Sequence, residues 1–292
     1  MDIRFFGNSG IKVSALGFGA GQIGDANLSE TDAEKLLLTA VNSGITLFDT
    51  ARGYGLSEER IGNYLSPHRD KIILSTKVGY GINHVPDWTY DSVLKGIDEA
   101  LLKMKTDYID IVHLHSCSKE ILWHNGVIDA LEKAKSDMKV LVLGYAGEND
   151  DLNAAIESNR LGSILSSVNI FDQRIINYKL PKAKSKGMGV IAKRPLANAP
   201  WRFSDCPIGH YCETYWHRMK AMNLKLDMDF EEAALRFSAF IFGVDSVIVG
   251  TTNPKHLTRN AEMISKGKLD DGVISYIKES FMKNDNNWLG QL

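Results

Sequence analysis

Short apolar runs alternate with segments of helical periodicity along most of this 292-residue chain. The first residues of the chain do not follow this alternation. Two short extended runs at residues 4–7 and 11–14 flank the turn sequence NSG. Two such runs around a turn predict a β-hairpin at the start of the chain.

Eight further apolar runs have the length and composition of buried strands, and most are followed by a helical segment. The predicted strands cover residues 16–19, 45–50, 71–78, 108–115, 139–147, 164–171, 189–196 and 245–251. The predicted helices cover about 29–43, 57–65, 89–104, 118–136 and 150–158, with a further helix ending near 186. Ser29, Ser57 and Thr89 stand at helix starts and are expected to act as N-caps.

This repeated order of strand and helix favours an α/β fold, a single (β/α)8 TIM barrel with an N-terminal β-hairpin cap, in which residues 1–292 form one domain. A doubly wound parallel sheet is the alternative architecture. One connection interrupts the rhythm, a long loop predicted at 197–226 that is rich in aromatic residues and holds two of the three cysteines. Long loops on a barrel usually serve its functional site.

The charge and composition of the chain limit the classes of binding partner that we expect. The formal net charge is only -2 and both signs are mixed along the chain, so there is no broad basic surface for nucleic acid or an acidic membrane. Three irregularly spaced cysteines do not indicate a disulfide framework, and from the composition of the first residues and the lengths of the apolar runs we expect neither a signal peptide nor a membrane span. We therefore expect a cytoplasmic protein with a small-molecule partner, and the sequence leaves open whether it forms a homo-oligomer.

Three consecutive predicted strands end in ionisable residues, namely Asp49, Lys77 and His115. The carboxyl ends of parallel barrel strands form the active-site face, and adjacent strands lie about 4.8 Å apart. The alternation of side chains along a strand turns Asp49 and Lys77 into the barrel, where two opposite charges are tolerable as a pair. Tyr54 lies on the loop directly after Asp49 and is therefore expected beside this pair.

An ammonium, a phenol and an imidazole at one site suggest proton transfer to a substrate. An ammonium stabilises a phenolate, so Lys77 is expected to lower the pKa of Tyr54 and make it a usable proton donor. Reducing a carbonyl requires hydride at carbon, a proton at oxygen and donors aimed at the developing oxyanion, and Tyr54 and His115 fit the last two tasks. Two other interpretations stay open, a purely structural ion pair and a Lys77 that forms a Schiff base in an aldolase-like barrel.

The segments FDTARGYGLSEERIG, LSTKVG and YIDIVHLH resemble the three signature segments of the aldo-keto reductases, and the chain is similar to divergent bacterial-type members nearly end to end. The resemblance extends to GVIAKRPL and to VGTTNPKHLTRNAEMI. It implies a catalytic tetrad of Asp49, Tyr54, Lys77 and His115. It also implies hydride transfer between NADPH or NADP, with NAD as the alternative, and an aldehyde, ketone or sugar-like alcohol.

The same resemblance assigns a cofactor site to the loop after the first barrel strand, the segment after the seventh and the start of the helix after the eighth. The residues are Gly19, Ala20, Gly21, Gln22, Asp49, Asn169, Lys193, Arg194, Leu196, Gly250, Thr251, Thr252, His256 and Asn260. No GxGxxG follows a strand and opens a helix, so the sequence does not predict a Rossmann-type dinucleotide site.

Several positions depart from the pattern that the resemblance implies. Ala146 and Gly147 stand where the family often has Ser-Asn, and Leu165 stands where it has glutamine. His256 replaces an arginine that often contacts the adenosine 2′-phosphate. We expect a rewired nicotinamide site in which Asn169 or the backbone holds the carboxamide. A non-catalytic cofactor-binding barrel that acts as a redox sensor or regulatory subunit is the alternative function.

Three further features of the sequence could indicate either a functional or a structural role. Cys206, His210 and Cys212 have a metal-like spacing, but no nearby paired motif supplies a fourth ligand, so no metal site is predicted. The aromatic residues of the same segment either line the substrate mouth or anchor the loop. His113 lies one layer deeper than His115 on the same strand face, which indicates a packing role.

Overall fold

The computed structural model describes residues 1–291 and places eight parallel strands in a closed barrel, preceded by an antiparallel hairpin. The hairpin pairs β1 (Ile3–Phe5) with β2 (Lys12–Ser14). The barrel strands are β3 (Leu16–Gly19), β4 (Leu47–Asp49), β5 (Ile73–Val78), β6 (Ile109–His115), β7 (Val140–Ala146), β8 (Ser163–Ser167), β9 (Gly189–Lys193) and β10 (Ser246–Val249). They pair in chain order, and β10 closes the ring between β9 and β3. The predicted hairpin-capped barrel is confirmed.

Helices follow most of the strands and form the outer layer. They are α1 (Glu30–Asn42), α2 (Ser57–Leu65), α3 (Tyr90–Met104), α4 (Lys119–His124), α5 (Val127–Ser136), α6 (Asn149–Glu157), α7 (Lys179–Ser185), α8 (Glu213–Met222), α9 (Phe230–Phe240), α10 (Pro254–Ser265) and α11 (Asp271–Asn284). Across residues 1–291, no helix combines the length and the apolar character needed to cross a bilayer.

Two of the three predicted N-caps act as expected. The side chain of Ser29 accepts a hydrogen bond from the backbone of Asp32, and Thr89 forms a reciprocal capping box with Ser92. The prediction for Ser57 was wrong, because Ser57 is the first residue of α2 itself. Its hydroxyl donates instead to the carbonyl oxygen of Ala20 at 2.8 Å, which ties α2 to the end of β3.

Two predicted segments differ in their helical content. The helix expected at 118–136 is two helices, because Gly126 between α4 and α5 adopts a φ of +68° that ends the first one. The loop expected at 197–226 contains α8. The start of α8 carries no side-chain cap, so the sequence lacks the usual signal for it.

The barrel interior is filled at its amino-terminal end. Phe6 and Val13 of the hairpin are fully buried and pack with inward residues of the strands, among them Leu47, Ile111 and Ile191. The absence of a side chain at Gly189 makes room for this plug, since a Cβ there would lie 2.5 Å from the Phe6 ring. The hairpin therefore closes one end of the barrel and leaves the carboxyl ends of the strands for a site.

Candidate active site

Asp49 and Lys77 form a buried ion pair inside the barrel mouth. The Lys77 Nζ lies 2.6 Å from Asp49 Oδ2 and 2.7 Å from the carbonyl oxygen of Thr50, and it therefore donates to two acceptors. The other carboxylate oxygen of Asp49 accepts from the Ser75 hydroxyl at 2.7 Å. The side chains of the pair are only 3% and 2% exposed, so their positions are fixed by each other rather than by water.

Tyr54 and His115 meet the same pair from two sides. The centre of the Tyr54 ring lies 5.0 Å from Lys77 Nζ. The Tyr54 and His115 rings are 6.1 Å apart and nearly perpendicular, at 87°. The loop that carries Tyr54 is held by a bond from the Leu56 amide to the carbonyl oxygen of Gly24. The structure thus brings together all four residues that the sequence grouped from separate segments.

Lys77 remains an ammonium in this setting. Burial alone would lower its pKa, but the charge of Asp49, together with Tyr54, outweighs burial and raises the pKa above its ordinary value. A lysine acts as a nucleophile only when it loses its proton. The paired, charged state of Lys77 therefore disfavours the Schiff-base interpretation.

His115 is an uncharged imidazole. Burial, together with the positive charges of Lys77 and Lys193, lowers the pKa of His115 to about 3. Its Nδ1 lies 2.9 Å from the hydroxyl of Tyr80, a residue for which the sequence analysis assigned no role. The only sequence signal for Tyr80 is its position three residues after Lys77.

His113 forms the layer below, and its contacts agree with a packing role. Its Nδ1 lies 3.4 Å from the Ser75 hydroxyl and its Nε2 lies 3.2 Å from the Ser163 hydroxyl. A Cβ at Gly144 would clash with the imidazole, so this glycine makes room for it. Through Ser75, which also bonds Asp49, His113 supports the floor of the site. The sequence pattern placed Ser75 on the correct face but did not indicate this bond.

The buried imidazole of His113 makes stability depend on pH. Burial, and then the positive charge of Lys77, hold the pKa of His113 well below 6.5. As the pH falls below 6.5, the unfolded chain takes up a proton that folded His113 does not, so the unfolding free energy falls by about 1.4 kcal/mol per pH unit for this residue. Urea unfolding from pH 7 to pH 5 should show a shallower loss for His113→Gln. The exposed His124→Gln is the control, and equal slopes for wild type and His113→Gln would contradict the prediction.

Apart from Asp49, which ends β4, the residues assigned to the cofactor lie on the opposite arc of the mouth. Gly19 ends β3, Lys193 ends β9, Asn169 follows β8 and Gly250 follows β10. These strands are neighbours in the order β8, β9, β10 and β3, whereas Asp49, Lys77 and His115 end β4, β5 and β6. The remaining assigned residues extend this arc from the segments that follow β3, β9 and β10 and from α10. They are Ala20, Gly21, Gln22, Arg194, Leu196, Thr251, Thr252, His256 and Asn260.

One feature of this arc fits an adenine dinucleotide, namely a buried acceptor on Asn260. Asn260 is buried in α10, and within residues 1–291 no donor reaches its side-chain oxygen. A buried acceptor without a partner is costly, and an amino group of a ligand would relieve the cost. Gly19 and Gly250 face each other where their strands end, and a Cβ at Gly250 would clash with Gln22. A side chain at position 250 would therefore crowd the point where β3 and β10 end.

The end of the arc at β7 and β8 differs from the pattern that the resemblance implies for a nicotinamide site. Glu148 is buried just after β7, where its carboxylate accepts from the Ser166 hydroxyl at 2.7 Å and the Ser167 amide at 2.8 Å. The Lys193 ammonium lies 3.3 Å from the same carboxylate. Asn169 is buried nearby, and its side-chain nitrogen makes no hydrogen bond to residues 1–291, although Tyr215 lies close to it. Glu148 was missed because its role depends on contacts with β8 and β9.

The segment between β9 and α9 covers this arc and is anchored by its aromatic residues. Tyr215 is buried and donates to Asp172 at 3.1 Å, and the Trp216 indole donates to the carbonyl oxygen of Phe203 at 3.1 Å. Arg194 stacks on Tyr211 at 4.8 Å and also contacts the carbonyl oxygen of Gln291. These contacts favour the anchoring interpretation for the aromatic residues, and they show that Arg194 is engaged by the protein.

The cysteines of this segment do not group as their spacing suggested. His210 Nδ1 lies 3.1 Å from the Cys212 sulfur, whereas Cys206 approaches Glu213 and His217 on α8. The Cys206 sulfur lies 3.4 Å from His217 Nε2, a distance that a thiol–imidazole hydrogen bond explains. His217 is mostly exposed, and two of the three side chains of this group belong to α8.

Comparison with known proteins agrees with this geometry. The chain matches the family model described as the aldo/keto reductase family over residues 15–281. It is 29% identical over 289 residues to L-galactose dehydrogenase of Arabidopsis thaliana, covering 91% of this chain and 89% of that protein. It is 28% identical over 296 residues to D-threo-aldose 1-dehydrogenase of a Pseudomonas species, covering 87% and 90%. The holo form of an aldo-keto reductase from Bacillus halodurans has a TM-score of 0.83, with 25% identity and 96% of both chains covered.

Proposed function

Because this chain belongs to the aldo/keto reductase family, whose members are NAD(P)-dependent oxidoreductases of carbonyl and alcohol groups, we propose that Tyr54 is its proton donor and acceptor. Asp49, Lys77 and His115 complete the proposed catalytic group. The observation that carries the proposal is the contact of Tyr54 with a lysine that is held charged by a buried carboxylate.

Each residue has a distinct task in the proposed reduction. Tyr54 gives its phenolic proton to the oxygen of the carbonyl, and the phenolate that results is stabilised by the Lys77 ammonium. Asp49 keeps Lys77 charged and fixes its position at 2.6 Å. The neutral imidazole of His115 supplies a hydrogen-bond donor to the same oxygen without adding a charge to the pocket. In alcohol oxidation the same proton moves in the opposite direction.

NADPH would supply the hydride that reduces the carbonyl carbon. On this chain Asn260 would hold the adenine amino group, because its buried side-chain oxygen lacks a donor. His256 and the exposed Lys255 stand in the first turns of α10, where they would contact a 2′-phosphate. Lys193 and Asn169 would contact the carboxamide at the other end. These contacts favour NADPH over NADH.

The proposed substrate class is a sugar-like compound with an aldehyde or an oxidisable hydroxyl at carbon 1. Two relatives that cover most of this chain are named as dehydrogenases of L-galactose and of D-threo-aldoses. The rings of Tyr54, His115, Tyr80 and Trp88 contact one another in turn and offer polar and aromatic surfaces, which suit the hydroxyl groups and the apolar faces of a sugar.

Cofactor binding tests the proposal first. We expect purified protein to quench NADPH fluorescence and to gain thermal stability with NADPH, and to turn over an aldose panel. Asn260→Ala should weaken NADPH binding about 10-fold, because it removes a buried hydrogen bond worth about 1.4 kcal/mol. Asn63→Ala, at an exposed position of α2, is the matched control. Absence of both quenching and thermal shift would overturn the proposal.

A further inference from the structure

Tyr80 forms a specific contact with the imidazole of His115. Its hydroxyl lies 2.9 Å from Nδ1, and the two rings are 5.4 Å apart at an angle of 32°. The other side of Tyr80 packs against Trp88, at 5.7 Å between ring centres. Gly53 leaves space for the hydroxyl, since a Cβ there would lie 2.6 Å from it. The phenol is therefore held in place from three directions.

A neutral imidazole carries a single hydrogen, and its position decides what His115 can do. Burial and two nearby ammonium groups keep His115 uncharged, as its lowered pKa indicates. One ring nitrogen is then a donor and the other an acceptor, and the hydrogen bond made by one nitrogen determines the state of the other. A carbonyl oxygen only accepts, so the nitrogen that faces the substrate must carry the hydrogen.

The surroundings of Tyr80 identify it as the donor in this pair. Burial raises the pKa of the Tyr80 phenol, so the group keeps its hydrogen at neutral pH. No other hydrogen bond joins this hydroxyl to residues 1–291, so within these residues Nδ1 of His115 is the one atom placed to accept its hydrogen. Over the same residues, Nε2 of His115 has no hydrogen-bond partner, and the side chain is partly exposed. Nε2 is thus available to a ligand in the mouth.

We propose that Tyr80 is a positioning residue that donates to Nδ1 of His115 and thereby fixes the imidazole hydrogen on Nε2, from which it is donated to the substrate oxygen. The inference rests on the proposed function, because it deepens the role of His115 in the same site. Tyr80 itself does not contact the reacting atoms.

Nitrogen NMR on histidine-labelled protein tests the inference without turnover. The His115 signals are identified by their loss in His115→Gln. In the wild type we expect Nε2 to carry the hydrogen and Nδ1 to be the bare nitrogen. In Tyr80→Phe, which keeps the ring but removes the hydroxyl, the pattern should change to a mixture of tautomers. A hydrogen on Nδ1 in the wild type, or an unchanged pattern in Tyr80→Phe, would overturn the inference.

Kinetics supply the second readout. Tyr80→Phe should lower kcat about 10-fold, while the Kd for NADPH stays within twofold of wild type, because His115 loses a fixed orientation but the cofactor arc is untouched. Tyr178→Phe, at an exposed position, should change neither value. An altered tautomer with unchanged kcat would remove the positioning role. A wild type that binds NADPH but lacks turnover would refute the proposed function, and the NMR result would still decide the Tyr80 contact.

Gly53→Ala is a second variant that should separate the Tyr80 hydroxyl from Nδ1 of His115. The added Cβ would displace the Tyr80 hydroxyl while leaving both rings in the chain. We expect the same tautomer change as in Tyr80→Phe, which keeps the inference testable if that variant folds poorly. An unchanged His115 pattern in a folded Gly53→Ala variant with a displaced Tyr80 would contradict it.

Discussion

Tyr54→Phe is expected to lower kcat by about 10³-fold while leaving the affinity for NADPH nearly unchanged. The substitution removes only the hydroxyl that gives its proton to the substrate oxygen, and the ring that faces Lys77 Nζ at 5.0 Å stays in place. Steady-state kinetics on an aldose and fluorescence titration with NADPH measure the two quantities. The expected result is a loss confined to the chemical step.

Two outcomes would contradict this prediction in different ways. Turnover within 10-fold of wild type would remove Tyr54 from the role of proton donor. An equal loss of turnover and of cofactor binding would indicate that the phenol organises the mouth instead. Tyr178→Phe is the matched control, because Tyr178 is 74% exposed and lies outside the site.

Separating the buried ion pair should have the largest effect on stability. Asp49→Asn leaves the Lys77 ammonium buried without its counter-charge, and Lys77→Met leaves the carboxylate of Asp49 in the same position. Each single change is expected to lower the unfolding free energy by about 3–5 kcal/mol, because an unpaired charge stays in a buried environment. The double variant should lose much less than the sum, since no unpaired charge remains.

Urea unfolding of the four proteins completes this double-mutant cycle. Additive losses would show that the two residues do not stabilise each other. The exposed pair Lys133 and Asp137 on α5 is the reference, and breaking it should cost less than about 1 kcal/mol. A buried pair that behaved like this surface pair would contradict the electrostatic description of the site.

The pattern of apolar and polar positions along the chain was sufficient to predict the barrel and the strand ends at which Asp49, Lys77 and His115 lie. Eight apolar runs followed by helical periodicity define a barrel, because hydrophobic period is a local property that can be read along the chain. The same alternation put Asp49 and Lys77 on inward faces at strand ends. The position of those ends on one face of the barrel follows from the parallel topology alone.

Local signals also explain the errors. Ser57 has the side chain and the neighbours of an N-cap, but its hydroxyl bonds Ala20, which is distant in sequence. The helix expected at 118–136 has the required periodicity, yet Gly126 adopts a left-handed conformation that periodicity does not record. The helix within 197–226 has no side-chain N-cap, so the sequence lacks the capping signal that would mark its start.

Contacts between segments that are distant along the chain could not be predicted from the sequence. Tyr80 and His115 lie on neighbouring segments whose mutual position depends on strand register and on the packing of Trp88, and neither is visible in a local pattern. The contact of Glu148 with Lys193 likewise joins the ends of two strands that are not adjacent in the barrel. The alternation of residues along a strand determines which face of the sheet a side chain is on. The hydrogen-bond partner of that side chain depends on closure of the barrel, because closure brings distant strand ends within about 3 Å of one another.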